Sequence, residues 1–282
     1  MGTTPHVAHS ARTTRTARTQ RAARTPRIAV DVAGTVVDGR HIRALTFQSV
    51  RLDYLRRLLG ESGLAAPGGR ALVVGSGRGV LARGLARLGF EVVAADASPA
   101  ATDLAREAHT GSGVTYVTMP AEELALETGS FDLVYCADTL EITERPGTVL
   151  AEAARVLRPG GVFVYDTVNR TPVSRLVYLG AFQTFPGTRI MPRGRYSARR
   201  MRRPAELAEG LGRVGLSVRD VSSFKPRDVR SLVRAARGRR RGTLTDEQLP
   251  GLVDMVLEPE GRPVVTYLGY AVRGGCDGAA GR

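Results

Sequence analysis

The stretch from Ala71 to Gly89, ALVVGSGRGVLARGLARLG, decides the fold class. Its first four residues are apolar, as in a buried strand, and apolar residues from Val80 onward recur with helical spacing. Between them lies a loop with glycines at positions 75, 77 and 79. Glycine permits a tight turn and a close approach to a ligand, and a helix N-terminus favours anionic or polar groups. The stretch therefore predicts a strand, a ligand-binding loop and a helix.

The spacing of these glycines separates two kinds of nucleotide site. A dinucleotide-binding fingerprint needs its third glycine where Val80 stands. The spacing G-x-G-x-G is instead the one seen in proteins that bind S-adenosylmethionine (SAM), although a simple tight turn shares it. A Tyr-x-x-x-Lys dehydrogenase pair is also excluded, because the sole lysine, Lys225, has Val221 four residues before it. The loop therefore favours SAM over a nicotinamide cofactor.

A carboxylate follows the second predicted strand, EVVAA at 91–95. Asp96 stands about 20 residues beyond the glycine loop, where a carboxylate can accept hydrogen bonds from both ribose hydroxyls. It could instead begin the next helix, but Ser98 and Pro99 already provide an N-cap and a first-turn proline. We therefore expect Asp96 to bind the ribose.

Composition places the chain among globular proteins. It has 282 residues, of which 43% are hydrophobic, and no run approaches the roughly 18 apolar residues of a membrane-spanning helix. Its two cysteines, Cys136 and Cys276, provide no disulfide framework and indicate a reducing compartment. We expect a cytoplasmic protein, and peripheral contact with the membrane is an open alternative.

The net charge of +14 is unevenly distributed. Arginine provides 40 of the 41 basic residues, which indicates a biased amino-acid usage. Residues 1–27, 189–203 and 225–241 contain six, seven and eight basic residues, and all three segments lie outside the predicted cofactor-binding core. The first is too poor in large apolar residues to fold and is predicted to be disordered. Charge alone is therefore weak support for a nucleic-acid partner.

Beyond Asp96, helical and strand patterns alternate. Helices are predicted at 99–109, 146–158 and 204–213, and strands at 114–118, 131–135, 161–167, 216–222 and 263–272. Continuous apolar strands between helices are typical of a parallel sheet that is covered on both faces. We predict a Rossmann-like α/β fold with a seven-stranded, mostly parallel sheet, helices on both faces and an antiparallel edge strand. Ligands of such sheets bind at the carboxyl ends of the strands.

These patterns divide the chain into segments. We predict a disordered tail (1–27), an N-terminal helical lid (28–64), a SAM-binding core (65–168), an acceptor-site lid (169–203), a C-terminal part (204–273) with a basic insert (225–260), and a flexible tail (274–282). The lid contains a helix at 47–59. The apolar stretch 176–185 either covers the acceptor or lies on an anionic bilayer beside the arginines that follow it.

Several spaced motifs make the chain resemble the class I SAM-dependent methyltransferases, and more narrowly the O-methyltransferases of ubiquinone biosynthesis. They are RLDYL (51–55), VVGSGRG (73–79), AADAS (94–98), SFDLVYCADTLEI (130–142), VLRPGGVFVYDTVNRT (156–171) and TYLGYAVR (266–273). The resemblance covers about residues 45–273. The basic insert 225–260 is longer and more basic than that family suggests.

The resemblance implies SAM as the cofactor and assigns residues to it. The glycine loop would hold the methionine end, Asp96 the ribose, the segment after the third strand the adenine, and the end of the fourth strand the sulfonium. The cofactor-binding residues so implied are Gly75, Ser76, Gly77, Gly79, Asp96, Ala97, Ala121, Glu122, Cys136 and Ala137.

The chain departs from the family pattern at three places. Val73 stands where an acid would anchor the amino group of the cofactor. Thr46 stands where an arginine is expected, with Arg43 as a stand-in for gripping the cofactor's carboxylate. Ile142 replaces the histidine that would complete a carboxylate–x–x–carboxylate–His pattern. A histidine base and a complete metal triad are therefore absent from that motif, and we predict no metal.

Methyl transfer from SAM depends mainly on in-line positioning in a dry pocket, but a phenolic acceptor must also lose a proton. Asp138 and Glu141 are the candidate catalytic acids at the end of the fourth strand. The same Asp-x-x-Glu spacing at a helix start would be a capping box. Both interpretations stay open at this point.

The sequence thus favours a SAM-dependent O-methyltransferase that acts on a small phenolic or quinol-like acceptor. A nucleic-acid-modifying methyltransferase is an alternative suggested by the basic segments. Against it, the fourth strand ends in Cys136-Ala137-Asp138 and not in the Asn/Asp-Pro-Pro-aromatic loop of many base methylases, and no base-stacking platform is evident. A non-catalytic protein that binds SAM or a lipid surface is a third alternative, suggested by Val73 and Ile142.

Overall fold

The structure is a computed structural model that describes residues 26–34, 36–62, 68–108, 111 and 113–274. Most of the predicted disordered tail, residues 1–25, lies outside the described residues, as do Cys276 and the rest of the C-terminal tail beyond Gly274.

One mixed sheet organises the described part of the chain. Its strands are β1 (Arg70–Val74), β2 (Glu91–Asp96), β3 (Val114–Thr118), β4 (Phe131–Cys136), β5 (Leu157–Val168), β6 (Leu216–Pro226), β7 (Met255–Glu258) and β8 (Thr266–Arg273). Their order is β3-β2-β1-β4-β5-β8-β6-β7. Neighbours among β1 to β5 are parallel, whereas β8 pairs antiparallel with both β5 and β6, and β7 with β6.

The predicted α/β fold is confirmed, with one difference in the strand count. The described sheet has eight strands where seven were predicted. The extra strand is β7, which comes from the segment predicted only as a variable basic insert. It adds to the sheet by pairing its backbone with Ser223–Pro226 at the end of β6.

Helices cover both faces of the sheet. They are α1 (Gly39–Ser62), α2 (Val80–Arg87), α3 (Pro99–Glu107), α4 (Pro146–Val156), α5 (Pro172–Arg175), α6 (Pro204–Arg213) and α7 (Val229–Arg241), and α5 continues into a π-helical turn at Leu176–Ala181. One apolar core packs α1, α2 and α7 on one face, and a second core packs α4 and α6 on the other. None of the described helices combines the length and hydropathy that crossing a bilayer requires.

Helix α1 begins eight residues before the predicted helix at 47–59. Asp38 explains the earlier start, since its Oδ1 accepts hydrogen bonds from the backbone N–H groups of Arg40 and His41, at 3.1 Å each. This is the role of an N-cap, which satisfies first-turn donors that lack a helical partner. The extension carries Arg40 and Arg43 into the region of the carboxyl ends of the strands.

The predicted insert 225–260 contains regular structure. Asp228 caps α7 by accepting hydrogen bonds from the backbone of Arg230 and Ser231, and Gly242 ends the helix in the left-handed conformation, with φ 72°. Ala235 and Ala236 face the core. The exposed arginines of α7, at positions 230, 234, 237 and 241, follow helical spacing and form a cationic outer face.

Candidate functional site

The glycine loop connects β1 to α2 as predicted. Gly75, Gly77 and Gly79 all have positive φ, at 75°, 53° and 72°. At Gly75 the requirement is strictest, because a Cβ there would overlap Thr139 Oγ1 and lie 2.6 Å from the carbonyl oxygen of Ala137. A side chain is therefore excluded at the point where the loop passes the end of β4.

Asp96 ends β2 beside this loop. Its Oδ2 accepts a hydrogen bond from the backbone N–H of Gly77 at 2.8 Å, and its Oδ1 accepts one from the N–H of Ser98 at 2.9 Å. Ser98 itself caps α3 by accepting from the N–H of Ala101 at 3.2 Å. Ser98, and not Asp96, is therefore the cap of α3, as predicted, and ribose binding by Asp96 stays a prediction.

The Asp96 carboxylate is paired with an arginine of the N-terminal segment that was predicted as a lid. Arg40 Nη1 donates to Asp96 Oδ1 at 3.2 Å, and Arg40 Nη2 forms an ion pair with Asp96 Oδ2. Arg40 also pairs with Asp31 at 3.0 Å, in the segment before α1. The sequence did not predict this contact, although a lid over the site was expected.

The glycine-loop crevice is the space enclosed by the loop, the start of α1 and Asp138. Its lining includes Asp31, Arg40, His41, Gly75, Ser76, Gly77, Arg78 and Asp138. The free volume is about 20 Å³, which is room for about one water molecule. The carboxylate and the glycine cradle fit an adenosyl cofactor, provided that the Arg40 side chain moves out of the crevice.

Residues before α1 cover the loop from outside. Arg78 Nη2 donates to the carbonyl oxygen of Val32 at 2.9 Å and to Asp38 Oδ2 at 2.7 Å. Beside these contacts, His41 lines the crevice, and its Nδ1 has no hydrogen-bond partner among the described residues. Burial lowers the pKa of His41 to about 4, and the charge of Arg78 adds to this shift. The imidazole is therefore neutral near pH 7.

Behind the crevice lies a buried group of two arginines and three carboxylates, which we call the charge cluster: Arg43, Arg51, Asp138, Glu141 and Asp166. Arg43 Nη2 lies 2.6 Å from Asp138 Oδ1 and 2.9 Å from Glu141 Oε1. Arg51 binds both oxygens of Asp166, at 3.0 and 2.7 Å, and its Nη2 lies 2.9 Å from Asp138 Oδ1.

Within this cluster the pKa values of the two candidate catalytic acids are shifted in opposite directions. Burial alone would raise the pKa of Asp138, but the charges of Arg43 and Arg51 lower it to about 2. Burial raises the pKa of Glu141, and this effect exceeds the opposing charge of Arg43. Glu141 also accepts a hydrogen bond from Thr167 Oγ1 at 3.0 Å. Asp138 is therefore a fixed anion, and Glu141 is the better proton acceptor.

The capping interpretation of Asp138 and Glu141 is wrong. The next helix, α4, begins at Pro146 with Arg145 as its N-cap, so neither carboxylate stands at a helix start. Asp138 instead adopts a left-handed backbone conformation, with φ 49°, in a short turn after β4. A non-glycine residue in this conformation is uncommon, and such residues concentrate at functional sites.

The donor atoms for a metal ion are already engaged. Asp138 Oδ1 and Glu141 Oε1 both face the guanidinium of Arg43. In the part of the chain that the structure describes, no group of three or more His, Cys, Asp or Glu side chains is arranged as a metal site. These residues therefore do not fit a resident divalent cation.

A large apolar cavity lies on the other side of Arg43. It has a volume of about 510 Å³ and is bounded by α1, the π-helical turn, α7 and the ends of β6 to β8. Its walls include Phe47, Tyr178, Phe182, Phe224 and Ala236. The stretch 176–185 contributes Tyr178 and Phe182 to this wall, and its role in covering an acceptor stays a prediction. The expectation that Arg43 grips the cofactor's carboxylate finds no support, since Arg40 and Arg51 line the crevice instead.

The remaining residues assigned to the cofactor lie near the strand ends. Cys136 and Ala137 are buried at the end of β4, where the Ala137 N–H donates to the carbonyl of Val74 at 3.1 Å. Ala97 is exposed beside Asp96. Glu122 Oε1 accepts from Thr143 Oγ1 at 2.5 Å, and neither Ala121 nor Glu122 lines the crevice in its present form. Their contact with adenine stays a prediction.

Three site residues were not predicted: Arg40, Arg51 and Asp166. A signal existed for two of them. Arg51 falls on the apolar face of α1, between Phe47 and Tyr54, and Asp166 interrupts the apolar strand β5. A charge on a buried face requires a partner. The sequence could therefore have suggested this pair, but the approach of Arg40 to Asp96 depends on how the lid folds back.

Comparisons with known proteins identify the fold and the family. A family model described as a methyltransferase domain matches residues 72–165. Among solved structures, a magnesium protoporphyrin IX methyltransferase from Synechocystis with bound S-adenosylhomocysteine is 18% identical, with a TM-score of 0.52, and covers 83% of this chain and 86% of its own. A SAM-dependent methyltransferase from Mesorhizobium loti is 23% identical, with a TM-score of 0.50, over 74% of this chain and 92% of its own. These likenesses show the fold.

The sequence relatives are more specific. A ubiquinone biosynthesis O-methyltransferase of Xanthomonas oryzae pv. oryzae is 39% identical over 179 residues, which cover 62% of this chain and 72% of the relative. The chain therefore belongs to the same family as the ubiquinone biosynthesis O-methyltransferases, and it is a SAM-dependent methyltransferase.

Proposed function

We propose that the protein methylates an oxygen atom of a phenolic or quinol-like acceptor whose apolar body lies in the apolar cavity. The observation that carries this proposal is the ion pair between Arg43 and Asp138, at 2.6 Å. Asp138 lines the glycine-loop crevice and Arg43 lines the apolar cavity. The two spaces thus meet at one pair of side chains, which is where a methyl group has to pass from a cofactor to an acceptor.

The residues of the crevice are proposed to bind the cofactor. Asp96 would bind the ribose, and the backbone from Gly75 to Gly79 would hold the methionine end. When bound, SAM supplies a methyl group on a sulfonium, which is already activated for transfer. The protein then contributes mainly orientation and the exclusion of water. The buried charge cluster behind the crevice supports both contributions, because its side chains are held by ion pairs and are shielded from solvent.

Glu141 is the group proposed to take the proton of the acceptor. It is fully buried, and burial raises the pKa of its carboxyl. A carboxylate with a raised pKa is a stronger base than one held at a pKa of about 2, as at Asp138. Asp138 is proposed to orient Arg43 and Arg51.

Mass spectrometry with a panel of catechols, hydroquinones and alkylphenols tests the function. With SAM present, we expect a mass gain of one methylene on at least one acceptor, and calorimetry should detect SAM binding independently. Asp138→Asn should slow turnover more than it weakens SAM binding. Tight SAM binding without any product across the panel would favour the non-catalytic alternative.

We also propose that the protein is cytoplasmic and contacts an anionic membrane at the mouth of the apolar cavity. Val173, Val229 and Val264 line this cavity and are 45%, 64% and 46% exposed. The arginines on the outer face of α7 lie on the same helix as Val229. Exposed apolar side chains beside cationic ones favour shallow binding to anionic lipid.

Vesicle sedimentation tests this membrane contact. The protein should sediment with phosphatidylcholine vesicles only when they also contain phosphatidylglycerol, and Val229→Asp should reduce that fraction. Equal binding to neutral vesicles, or none to either kind, would contradict the proposal. Retention of the protein on RNA but not on vesicles at moderate salt would instead point to the nucleic-acid alternative.

A further inference from the structure

Arg43 carries an unused hydrogen-bond donor. Its side chain is 6% exposed, and its Nη1 donates to the Tyr196 hydroxyl at 3.1 Å. Its Nε has no hydrogen-bond partner among the described residues, and the contacts of Nη2 with the two carboxylates lack hydrogen-bond alignment. Leaving a buried donor without a partner is destabilising, and more so for a charged group. An arginine in this state is ready to bind an acceptor atom of a ligand.

The surroundings of Arg43 make such a contact strong. The guanidinium carbon lies 5.1 Å from the centre of the Phe47 ring and 5.2 Å from that of Tyr178. These rings also line the apolar cavity, so they separate the guanidinium from bulk water. In such a dry site a fixed positive charge stabilises an oxyanion far better than it does in water.

The other cations of the cavity wall are less suited, and one of them, Arg262, is exposed. Lys225 is paired with Glu258 at 2.7 Å and is more than half exposed, and Arg239 is paired with Asp246 at 2.5 Å. Arg239 is buried like Arg43, but Arg43 also adjoins the crevice through Asp138 and has Glu141 as a neighbour.

We propose that Arg43 binds the ionised oxygen of the acceptor, so that the acceptor is an apolar molecule with one acidic hydroxyl at its inner end. This inference rests on the proposed function. The hydroxyl proton passes to Glu141, and a C–O bond forms to the methyl carbon as its S–C bond breaks, with the electron pair of that bond left on sulfur. Before methyl transfer, the net charge around Arg43 stays constant, because the new oxyanion replaces the charge that Glu141 loses.

A chromophoric phenol tests the contact without any turnover. 4-Nitrocatechol changes its absorbance when it ionises, so a pH titration reports its pKa both free and bound to the full-length protein. We expect the bound pKa to lie at least one unit below the free value, which corresponds to tenfold tighter binding of the anion than of the neutral phenol.

Variants assign the shift to Arg43. Arg43→Gln should abolish the shift and weaken binding of the anion about tenfold or more, whereas Arg43→Lys should keep part of it. Lys225→Gln is the matched control, since it removes another cation of the same cavity and should leave the shift intact. Tyr196→Phe removes the hydroxyl that Arg43 contacts but leaves the charge of Arg43 in place, so the pKa shift should also be kept. SAM affinity and thermal melting check that each variant is folded.

The outcomes separate this inference from the proposed function. An unshifted pKa in the unmodified protein overturns the inference, even if Arg43→Gln fails to fold. The same result follows if Arg43→Gln binds the anion normally, or if Lys225→Gln loses as much of the shift. A shift that depends on Arg43 without methylated product from any phenol would leave the inference standing while the proposed function fails.

Discussion

The glycine-loop crevice and the apolar cavity adjoin the same ion pair but are built in opposite ways. The crevice is lined by charged side chains and tight backbone, and Arg40 fills it until about 20 Å³ remains. The cavity keeps about 510 Å³ between aliphatic and aromatic side chains. Hydrogen bonds from the backbone hold Asp96 in place, whereas Lys225 and Arg239 of the cavity wall are held by ion pairs with other side chains.

This difference in lining matches the ligand that each space is proposed to bind. A cofactor with many polar atoms needs donors and acceptors at set positions, and such a site tolerates little change. An apolar acceptor is bound largely by burial of its surface, so the cavity depends on volume more than on particular contacts. The glycine loop and Asp96 lie in the part of the chain that the methyltransferase domain model matches, whereas α7 and β7 belong to the basic insert.

The largest effect is expected at Asp96. Asp96→Asn keeps the shape of the side chain but removes the charge that would accept from both ribose hydroxyls. Charge-assisted hydrogen bonds contribute about 1.5–3 kcal/mol each, so SAM affinity should fall roughly a hundredfold or more. Calorimetry measures this, with the exposed Asp103→Asn as the control. Unchanged affinity would remove Asp96 from the cofactor site.

Filling the cavity should have the next largest effect. Ala236→Phe places a ring among the apolar walls, where Ala236 is 6% exposed and there is room for it. We expect the acceptor KM to rise on the order of tenfold, since excluded apolar contact is worth about 25 cal/mol per Å². SAM affinity should stay the same. Arg237→Phe, on the exposed side of the same helix, should change neither value. A loss of SAM affinity in Ala236→Phe would mean that the two spaces are not separate.

The same contrast explains how much the sequence could predict. Strand and helix patterns of the core are local, so α3 begins at Pro99 with Ser98 as its cap, as predicted. The pairing of Asp138 with Glu141 was also visible as a spacing, but their partner Arg43 comes from a helix almost a hundred residues earlier. Such a long-range ion pair follows from how α1 folds back over the sheet, which no local pattern encodes.

The insert shows the opposite limitation. No helix was predicted within the basic insert 225–260, although its first half contains Val229, Leu232 and Val233. The buried face of α7 uses alanines, at Ala235 and Ala236, and its ends were marked by Asp228 and Gly242. Capping residues were therefore a better signal than hydrophobic periodicity for α7.

Removing Arg40 should change SAM affinity less than Asp96→Asn does, and in the opposite direction. Arg40→Ala deletes the guanidinium that competes with the ribose for Asp96, and it leaves two carboxylates without their partner when SAM is absent. Both consequences favour binding, and we expect SAM affinity to increase about tenfold. Calorimetry against the exposed variant Arg56→Ala checks this. A loss of affinity would show instead that Arg40 contributes to the cofactor site.

The smallest effect concerns pH and the lid. Because the pKa of His41 is lowered to about 4 in the folded protein, the unfolded chain takes up a proton on this histidine before the folded chain does. Stability from the neutral imidazole is therefore present above about pH 6.5 and is lost as the pH falls from there towards about 4. Between pH 7 and pH 5 we expect about 1 kcal/mol of the free energy of unfolding to disappear, since the side chain is partly open to solvent.

Urea unfolding at both pH values measures the loss, and His41→Asn should reduce it. Because His41 lies in the crevice and not in the cavity, acceptor binding should be insensitive to this titration, whereas opening of the lid should become easier at low pH. If the variant lost as much stability as the unmodified protein, His41 would not be the source of the acid sensitivity.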